Sequence, residues 1–271
     1  MTSSASLVLF GMLGISLLVG DSAPILGIDK PGIVREQAVG HQPSAWEGFS
    51  LRPITGLEGA QQQISGCKQN LPVRGEERTF RLSSLARLYF FLGEAGDGKA
   101  RKPNYEQGCN YARLLVEEQP QRVEGYYWLA LNLCGLASVS GAKAALSLLP
   151  RIIELLETSL HFDETYDQAG SHRVLGRIYY RAPGWPLSVG DVQKSLQHLS
   201  QSVTIAPQNS TNQLFLAEVL YSTGKAKEAN RALEKVLNGT RHALWPKGLA
   251  EDQQKAQQLI RELNARREFV S

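Results

Sequence analysis

Apolar residues recur every three or four positions through the chain from about residue 76 to residue 238. That spacing places them on one face of successive α-helices, because an α-helix completes a turn every 3.6 residues. The segment TFRLSSLARLYFFL, residues 79–92, shows the pattern clearly. We therefore predict an all-helical domain over residues 76–271.

Residues 173–207 contain the elements of one helix pair. The first helix carries Leu-Gly and then Tyr, and the second carries small residues, a large apolar residue and a closing Pro: Leu175, Gly176, Tyr179, Ser195, Leu199, Ser202 and Pro207. These offsets match the tetratricopeptide pattern of two antiparallel helices. Gly176 and Ser195 fall where the helices would cross most closely, since larger side chains would push the axes beyond about 8–10 Å.

The position of Gly176 recurs along the chain and predicts four such units. The marker residues are Ala86, Ala130, Gly176 and Ala217, with spacings of 44, 46 and 41 residues. The standard unit has about 34 residues. The first three units carry ten, ten and seven extra residues between the marker and the second helix. We therefore predict a helical repeat stack of about four helix pairs, with three inserted turns projecting from one rim.

The N-terminal segment, residues 1–23, contains an uncharged and largely apolar run over residues 7–19. A run of this length is typical of a signal peptide and is shorter than the roughly 20 residues that span a bilayer. We expect export, with cleavage near Ser22; the alternatives are an uncleaved apolar N-terminus and a wrongly assigned start codon. No cysteine directly follows the run, so we expect no anchoring through a lipid on such a cysteine.

Residues 24–75 mix Pro, Gly and polar residues with little periodicity. This composition indicates an extended lead-in, with one helix near residues 57–65. At the other end, a highly charged helix is predicted over residues 249–269. Its apolar stripe consists of Ala256, Leu259, Ile260 and Leu263. Such a helix would cap the last repeat, because repeat stacks need a polar outer face at their ends.

The composition is that of an ordinary globular protein, with 42% hydrophobic and 20% charged residues and a net charge of +3. This small charge argues against a nucleic-acid or polybasic membrane surface. Cys67, Cys109 and Cys134 lack metal-ligand spacing. Cys109 and Cys134 lie in helical patterns and are expected to be buried thiols. If the protein is exported, a disulfide between Cys67 and Cys109 is an alternative that the sequence does not decide.

Motifs for catalysis or cofactor binding do not emerge from the sequence. Residues 93–100, GEAGDGKA, resemble a phosphate-binding loop, but Ala100 replaces the Ser or Thr that would bind magnesium, and the loop follows a helix. The five histidines show no helical metal-ligand spacing, and no G-x-S-x-G nucleophile elbow occurs. We expect no enzyme activity, no metal and no cofactor.

A groove is the strongest binding signal. Projection from the markers, together with the third insertion, gives the lining residues Phe80, Arg87, Phe90, Tyr127, Leu131, Arg173, Arg177, Tyr180, Arg181, Trp185 and Tyr221, with Glu218 nearby. Arg173, Arg177 and Arg181 share one helix face. Guanidinium groups beside aromatic rings suit a carboxylate with an apolar body. The alternatives are a solvated arginine stripe and arginines paired with acids on neighbouring helices.

The third insertion, residues 181–191, reads RAPGWPLSVGD. Pro183 and Pro186 stiffen the segment, and Asp191 can cap the following helix. Trp185 is expected to pack onto the rim of the groove, because large aromatic side chains are usually buried. The alternative is that Trp185 forms a lid over the groove.

Two segments carry a family resemblance. They are HRVLGRIYYRAPGWPLSVGD with the following KSLQHLSQSVTIAPQNSTNQLFLAEVLYSTGKAKEANRALEKVL, and the upstream EGYYWLALNLCGLASVSGAKAALSLLPRIIELLETSLHFDE. Both resemble the TatT family, the tetratricopeptide T-component associated with TRAP transporters. In that family a Pro-Gly-x-Pro insertion precedes a Gly-Asp helix start. The resemblance covers about residues 76–238.

The resemblance implies an all-helical periplasmic protein that can form homotrimers. It also implies an apolar groove for a ligand or for the substrate-binding partner of a carboxylate transporter. Members are often lipoproteins, whereas this chain lacks the cysteine that would carry the lipid. We therefore expect a non-enzymatic envelope protein that binds a small apolar carboxylate or a transporter substrate-binding protein. The alternative is a general interaction scaffold in the envelope, with an open groove for a peptide or protein.

Overall fold

The computed structural model describes residue 54 and residues 56–69, 71–239 and 247–268. The predicted signal segment and most of the predicted lead-in lie outside these residues. Within the described residues the chain forms ten α-helices. They are α1 Leu57–Gln69, α2 Glu76–Ala95, α3 Gly98–Glu118, α4 Val123–Val139, α5 Ala142–Phe162, α6 Tyr166–Arg181, α7 Val192–Ile205, α8 Ser210–Ser222, α9 Ala226–Asn238 and α10 Lys247–Glu268.

Eight of these helices pack as four consecutive pairs: α2 with α3, α4 with α5, α6 with α7, and α8 with α9. Each pair also packs against the next, while α1 covers α2, and α10 packs against α8 and α9. The four marker residues are buried in the first helix of each pair. The predicted all-helical repeat stack is therefore confirmed.

The close crossing predicted for the third pair is present between α6 and α7. The Ser195 hydroxyl donates a hydrogen bond to the carbonyl of Gly176, with 2.8 Å between Oγ and the oxygen. A Cβ atom on Gly176 would overlap the side chain of Leu199. A larger residue at position 176 would therefore force these two helices apart.

The extra residues in the first two units lengthen the helices instead of forming projecting turns. Only residues 96–97 separate α2 from α3, and only residues 140–141 separate α4 from α5. The prediction of three projecting turns is wrong for these two units, because the apolar period continues through the inserted residues. Tyr105 and Leu149, which lie in those stretches, are buried. In the third unit the two prolines break the pattern, and residues 182–191 form a loop.

The core is built from three clusters of buried side chains. One joins α2 to α6, a second joins α7 to α10, and a third lies between α1 and α2. Cys67, Cys109 and Cys134 are buried free thiols, as predicted for Cys109 and Cys134. Burial raises the pKa of the Cys109 thiol to about 12, which keeps it protonated and unreactive.

The final helix, α10, places Ala256 and Leu263 in the second cluster, with Leu259 and Ile260 packed against it. The predicted apolar stripe therefore faces the last helix pair. Among the helices of the described residues, none combines the length and the apolar character that crossing a membrane would require.

Candidate binding site around the arginine cluster

The start of α6 contains three consecutive residues in the left-handed backbone conformation. Asp167, Gln168 and Ala169 have φ values of 51°, 54° and 62°. We refer to these three residues as the left-handed turn. Side chains with a Cβ atom rarely adopt this conformation, which costs about 1–3 kcal/mol per residue and persists only where surrounding contacts hold it.

Arg173 supplies much of the support for the left-handed turn. Its guanidinium donates hydrogen bonds to the main-chain carbonyls of Asp167 and Gln168 at 3.3 and 3.4 Å. It also pairs with the Asp167 carboxylate at 2.7 Å. The Tyr127 hydroxyl donates to the same carboxylate, and Asn212 donates to the Gln168 carbonyl at 3.1 Å. Helices α4, α6 and α8 therefore meet at this turn.

The burial of Arg173 is complete, since none of its surface is exposed. Burial by itself lowers the pKa of a guanidinium, but here Tyr127 and Asp167 raise the pKa of Arg173 above its ordinary value. The buried charge is compensated by the Asp167 carboxylate within the chain. Arg173 is thus a structural residue, and its carboxylate partner is internal.

The other two arginines of α6 share one carboxylate. Arg177 and Arg181 both contact Oε2 of Glu218 on α8, and the nitrogen of Arg181 lies 2.9 Å from that oxygen. We name these three residues the arginine cluster. Two positive charges face one negative charge, so these three side chains carry a net charge of +1. The Nε atoms of Arg177 and Arg181 are buried and find no acceptor among the described residues.

Aromatic rings border the arginine cluster. The guanidinium of Arg177 lies 4.2 Å from the centre of the Phe215 ring, and that of Arg181 lies 5.1 Å from the Tyr180 ring. Burial lowers the pKa of Arg177, although the Glu218 carboxylate opposes this effect. Arg177 is almost fully buried, whereas 27% of the Arg181 side chain is exposed. Arg181 is therefore the arginine that solvent reaches.

A row of aromatic contacts continues from the left-handed turn towards α2. The rings of Tyr127 and Trp128 lie edge to face at 5.2 Å, and the Trp128 indole donates to the Tyr166 hydroxyl at 3.0 Å. Two residues of α2 face the Trp128 ring. The centre of the Phe90 ring lies 6.2 Å from the centre of the Trp128 ring, and the guanidinium carbon of Arg87 lies 5.9 Å from it. The first helices of the first three pairs are thus linked by cationic and aromatic side chains.

The predicted groove residues do not all lie on one open surface. Five are buried: Phe90, Tyr127, Leu131, Arg173 and Arg177. Five are partly buried: Phe80, Arg87, Tyr180, Arg181 and Tyr221. The side chain of Leu131 belongs to the first core cluster, because the position after the marker packs between helices. Ligand binding by the partly buried residues stays a prediction.

Trp185 does not pack onto the rim or cover a groove. It is 90% exposed on the loop between α6 and α7. The expectation of packing is wrong because the loop is held by its main chain and by Val189, which packs against the first core cluster. The indole is not needed to fix the loop.

Two contacts between residues that are far apart in the chain were not predicted from the sequence. The first joins Tyr127 to Asp167, and no sequence pattern around Asp167 predicts the left-handed turn. The His172 and His198 rings also come together, with 2.9 Å between their Nδ1 atoms, although 26 residues separate them. His172 Nε2 lies 3.7 Å from a Glu164 carboxylate oxygen, which is beyond hydrogen-bonding distance. Which of the two Nδ1 atoms donates depends on the tautomers of the rings.

The fold defines a helical repeat protein of the tetratricopeptide class. A thermophilic TPR protein of Thermus thermophilus has a similar crystal structure, with a TM-score of 0.55 and 20% sequence identity. The similarity covers 74% of this chain and 89% of the Thermus chain, and it shows the fold alone. No curated protein matches the sequence.

The family model of the TRAP transporter T-component matches residues 59–265. This match covers about three quarters of the chain, and the protein belongs to the TRAP transporter T-component family. The family is a class of transporter component, which associates the protein with the cell envelope and with other components of the transporter. The matched family is a class of transporter component and not a class of enzymes.

Proposed function

We propose that the protein is a non-enzymatic, periplasmic accessory subunit of a TRAP-type carboxylate transport system. In this proposal the arginine cluster holds the acid group of an apolar carboxylate or of a substrate-binding partner. The family match over residues 59–265 supports the transport role. The surplus positive charge of Arg177 and Arg181 beside the single carboxylate of Glu218 supports an anionic ligand.

The chemistry of the arginine cluster suits a second carboxylate. A guanidinium presents five N–H donors in a fixed plane and can bind two carboxylate oxygens at once. Arg181 is reachable from solvent, and Tyr180 beside it offers apolar surface for the body of the ligand. An incoming carboxylate would either use donors that Glu218 leaves free or displace Glu218. In both cases the negative charge of Glu218 opposes binding.

The decisive experiment is thermal unfolding of the purified protein with a series of organic and fatty monocarboxylates. A ligand at a hundred times its Kd stabilises by about 2.7 kcal/mol, which shifts Tm by several degrees. Arg181→Gln is expected to abolish the shift. Glu218→Gln is expected to increase it, because the competing charge is removed while the arginines stay.

Arg151→Gln is the matched control, because Arg151 lies on α5 and pairs with Glu154 at the surface. This variant should keep the full ligand-induced shift. A shift that survives Arg181→Gln would place the acid elsewhere. The absence of a shift with every acid would contradict small-ligand binding.

A second candidate function is an interaction scaffold that binds a protein and no small molecule. It is favoured by the pairing of Arg173 and Arg177 with carboxylates of the chain itself, which satisfies much of their charge. The scaffold predicts no stabilisation by acids and a protein partner that binds regardless of Glu218→Gln. The carboxylate series and Glu218→Gln therefore separate the two functions.

A further inference from the structure

The loop between α6 and α7 presents two large apolar side chains to solvent. Trp185 is 90% exposed and Leu187 is 78% exposed. We name these two residues the apolar knob. Burying a large apolar side chain stabilises by about 1.5–3 kcal/mol, and hot spots of protein interfaces are enriched in Trp. Trp185 and Leu187 do not contribute this stabilisation to the fold, because both stay exposed on the same loop.

The main chain of the loop holds the apolar knob in place. The N–H groups of Leu187 and Ser188 donate to the Gly184 carbonyl at 3.1 and 3.3 Å. At the base, the Gly190 N–H donates to the Pro183 carbonyl at 2.8 Å, and the Asp191 N–H donates to the Tyr179 carbonyl at 2.9 Å. A loop fixed in this way loses little conformational entropy when it docks.

Few main-chain N–H groups of the loop would lose water on docking. Pro183 and Pro186 have none, and those of residues 187, 188, 190 and 191 already donate within the chain. Burying an unsatisfied N–H group in an apolar pocket is costly. These internal hydrogen bonds lower the cost of moving the loop into an apolar environment.

The charges near the apolar knob favour a protein pocket over a lipid surface. Residues 182–190 carry no charge, and the Asp191 carboxylate caps α7 by accepting from the N–H groups of Gln193 and Lys194. Arg181, just before the loop, belongs to the arginine cluster, whose net charge of +1 it shares with the buried Arg177. Anionic membranes attract clusters of Lys and Arg, and the knob has none. Its complement is an uncharged, apolar pocket.

We propose that the apolar knob is a preformed docking element, and that it inserts into an uncharged apolar pocket of the substrate-binding subunit of the transport system. The inference rests on the proposed function for the identity of the partner. It adds a contact surface outside the arginine cluster. Trp185 is the anchor of this contact, and Leu187 extends its apolar area.

The test uses the full chain and the purified substrate-binding subunit of the TRAP-type system from the same organism, with the Kd measured by biolayer interferometry. Trp185→Ala should weaken binding at least tenfold, in the range of an interface hot spot. Leu187→Ala should weaken it several-fold. Leu114→Ala truncates an exposed leucine on α3 and should leave the Kd unchanged. All three variants should keep the wild-type Tm.

Four outcomes would overturn the proposal, and they point to different errors. An unchanged Kd for Trp185→Ala, with binding weakened by Arg181→Gln, removes the docking role and leaves the proposed function intact. Failure of the wild-type chain to bind the subunit contradicts the partner and the docking role, while the binding of a small carboxylate at the arginine cluster is decided separately by thermal unfolding. Trp185-dependent binding to vesicles of phosphatidylcholine and phosphatidylglycerol identifies a membrane contact. An oligomer that dissociates in Trp185→Ala identifies a second copy as the occupant.

Discussion

At the scale of single residues, Arg173 shows how a guanidinium can be buried without becoming a ligand site. Its hydrogen bonds serve two purposes, because they neutralise Asp167 and occupy the carbonyls of the left-handed turn. A turn of three residues with positive φ has no support from local preferences. The arginine and the turn therefore depend on each other.

Replacement of this arginine is predicted to destabilise the protein strongly. Arg173→Met should lower the free energy of unfolding by about 3–5 kcal/mol, because it leaves the Asp167 charge buried without its partner. Urea unfolding measures the change. Arg151→Met breaks an exposed ion pair with Glu154 and should cost about 1 kcal/mol or less. Equal unfolding midpoints for the two variants would refute this account of Arg173.

Two other residues are predicted to make stability depend on pH in opposite directions. Burial lowers the pKa of His198 to about 4, with the neighbouring His172 and Lys194 adding to the effect. Burial raises the pKa of Glu94 to about 7, against a hydrogen bond from Tyr105 and the charge of Arg101. Both groups change their protonation between pH 4 and pH 7, so their effects overlap in the wild-type protein.

The signs follow from the protons bound in each state. Below about pH 6.5 the unfolded chain protonates His198 before the folded protein does, so stability falls as pH drops from 6.5 towards 4. The folded protein protonates Glu94 at a pH where the unfolded chain is ionised. The stability from Glu94 is therefore full below about pH 4.5 and is lost as pH rises through 7.

Variants separate the two contributions. His198→Phe keeps a ring against Tyr179, which stacks on His198 at 5.7 Å, and should reduce the loss of Tm between pH 6.5 and 4. Glu94→Gln should remove the loss between pH 4.5 and 7. Tm measured at half-unit intervals of pH tests both. Parallel curves for wild type and both variants would mean that neither group has a shifted pKa in the folded protein.

At the scale of elements, the length of each helix pair follows the continuation of its apolar period. Residues inserted into the first two units keep that period and become helical turns, whereas the prolines of residues 182–191 stop it. The third pair is consequently shorter, with α6 and α7 crossing at Gly176. One glycine thus sets the spacing of two helices.

The crossing of α6 and α7 gives a prediction that compares two helical glycines. Gly176→Ala should destabilise by about 1 kcal/mol, because the new Cβ overlaps Leu199 and overpacking costs about 1–3 kcal/mol. Gly66→Ala on α1 meets nothing within 4 Å and should stabilise by up to about 1 kcal/mol through helix propensity. Chemical unfolding of both variants measures the difference. Stabilisation by Gly176→Ala would show that the helices have room at the crossing.

At the scale of the whole molecule, the helix pairs combine into a stack whose binding features occupy two places. The arginine cluster lies between the third and fourth pairs, on α6 and α8, and the apolar knob projects from the loop inside the third pair. Arg181 ends α6, and the loop begins at the next residue. A ligand at the cluster and a partner at the knob would therefore contact adjacent parts of the third repeat.

Much of this architecture was predictable because helical repeats are encoded by short-range periodicity. The markers at Ala86, Ala130, Gly176 and Ala217 indicated the four pairs, and the stripe on α10 indicated its packing face. These features depend on residues three to four positions apart, or on the offsets within one pair. The fold class, the number of helix pairs and the family resemblance were therefore predictable from the sequence.

Which charges meet and which apolar residues stay in water depends on how the helices and loops pack in three dimensions. Arg177 and Glu218 are 41 residues apart, and the left-handed turn is held by side chains from α4, α6 and α8. The exposure of Trp185 depends on main-chain hydrogen bonds of its loop. Such contacts join distant parts of the chain or depend on loop geometry, so the periodicity of apolar residues does not predict them. They form only when the helices pack together.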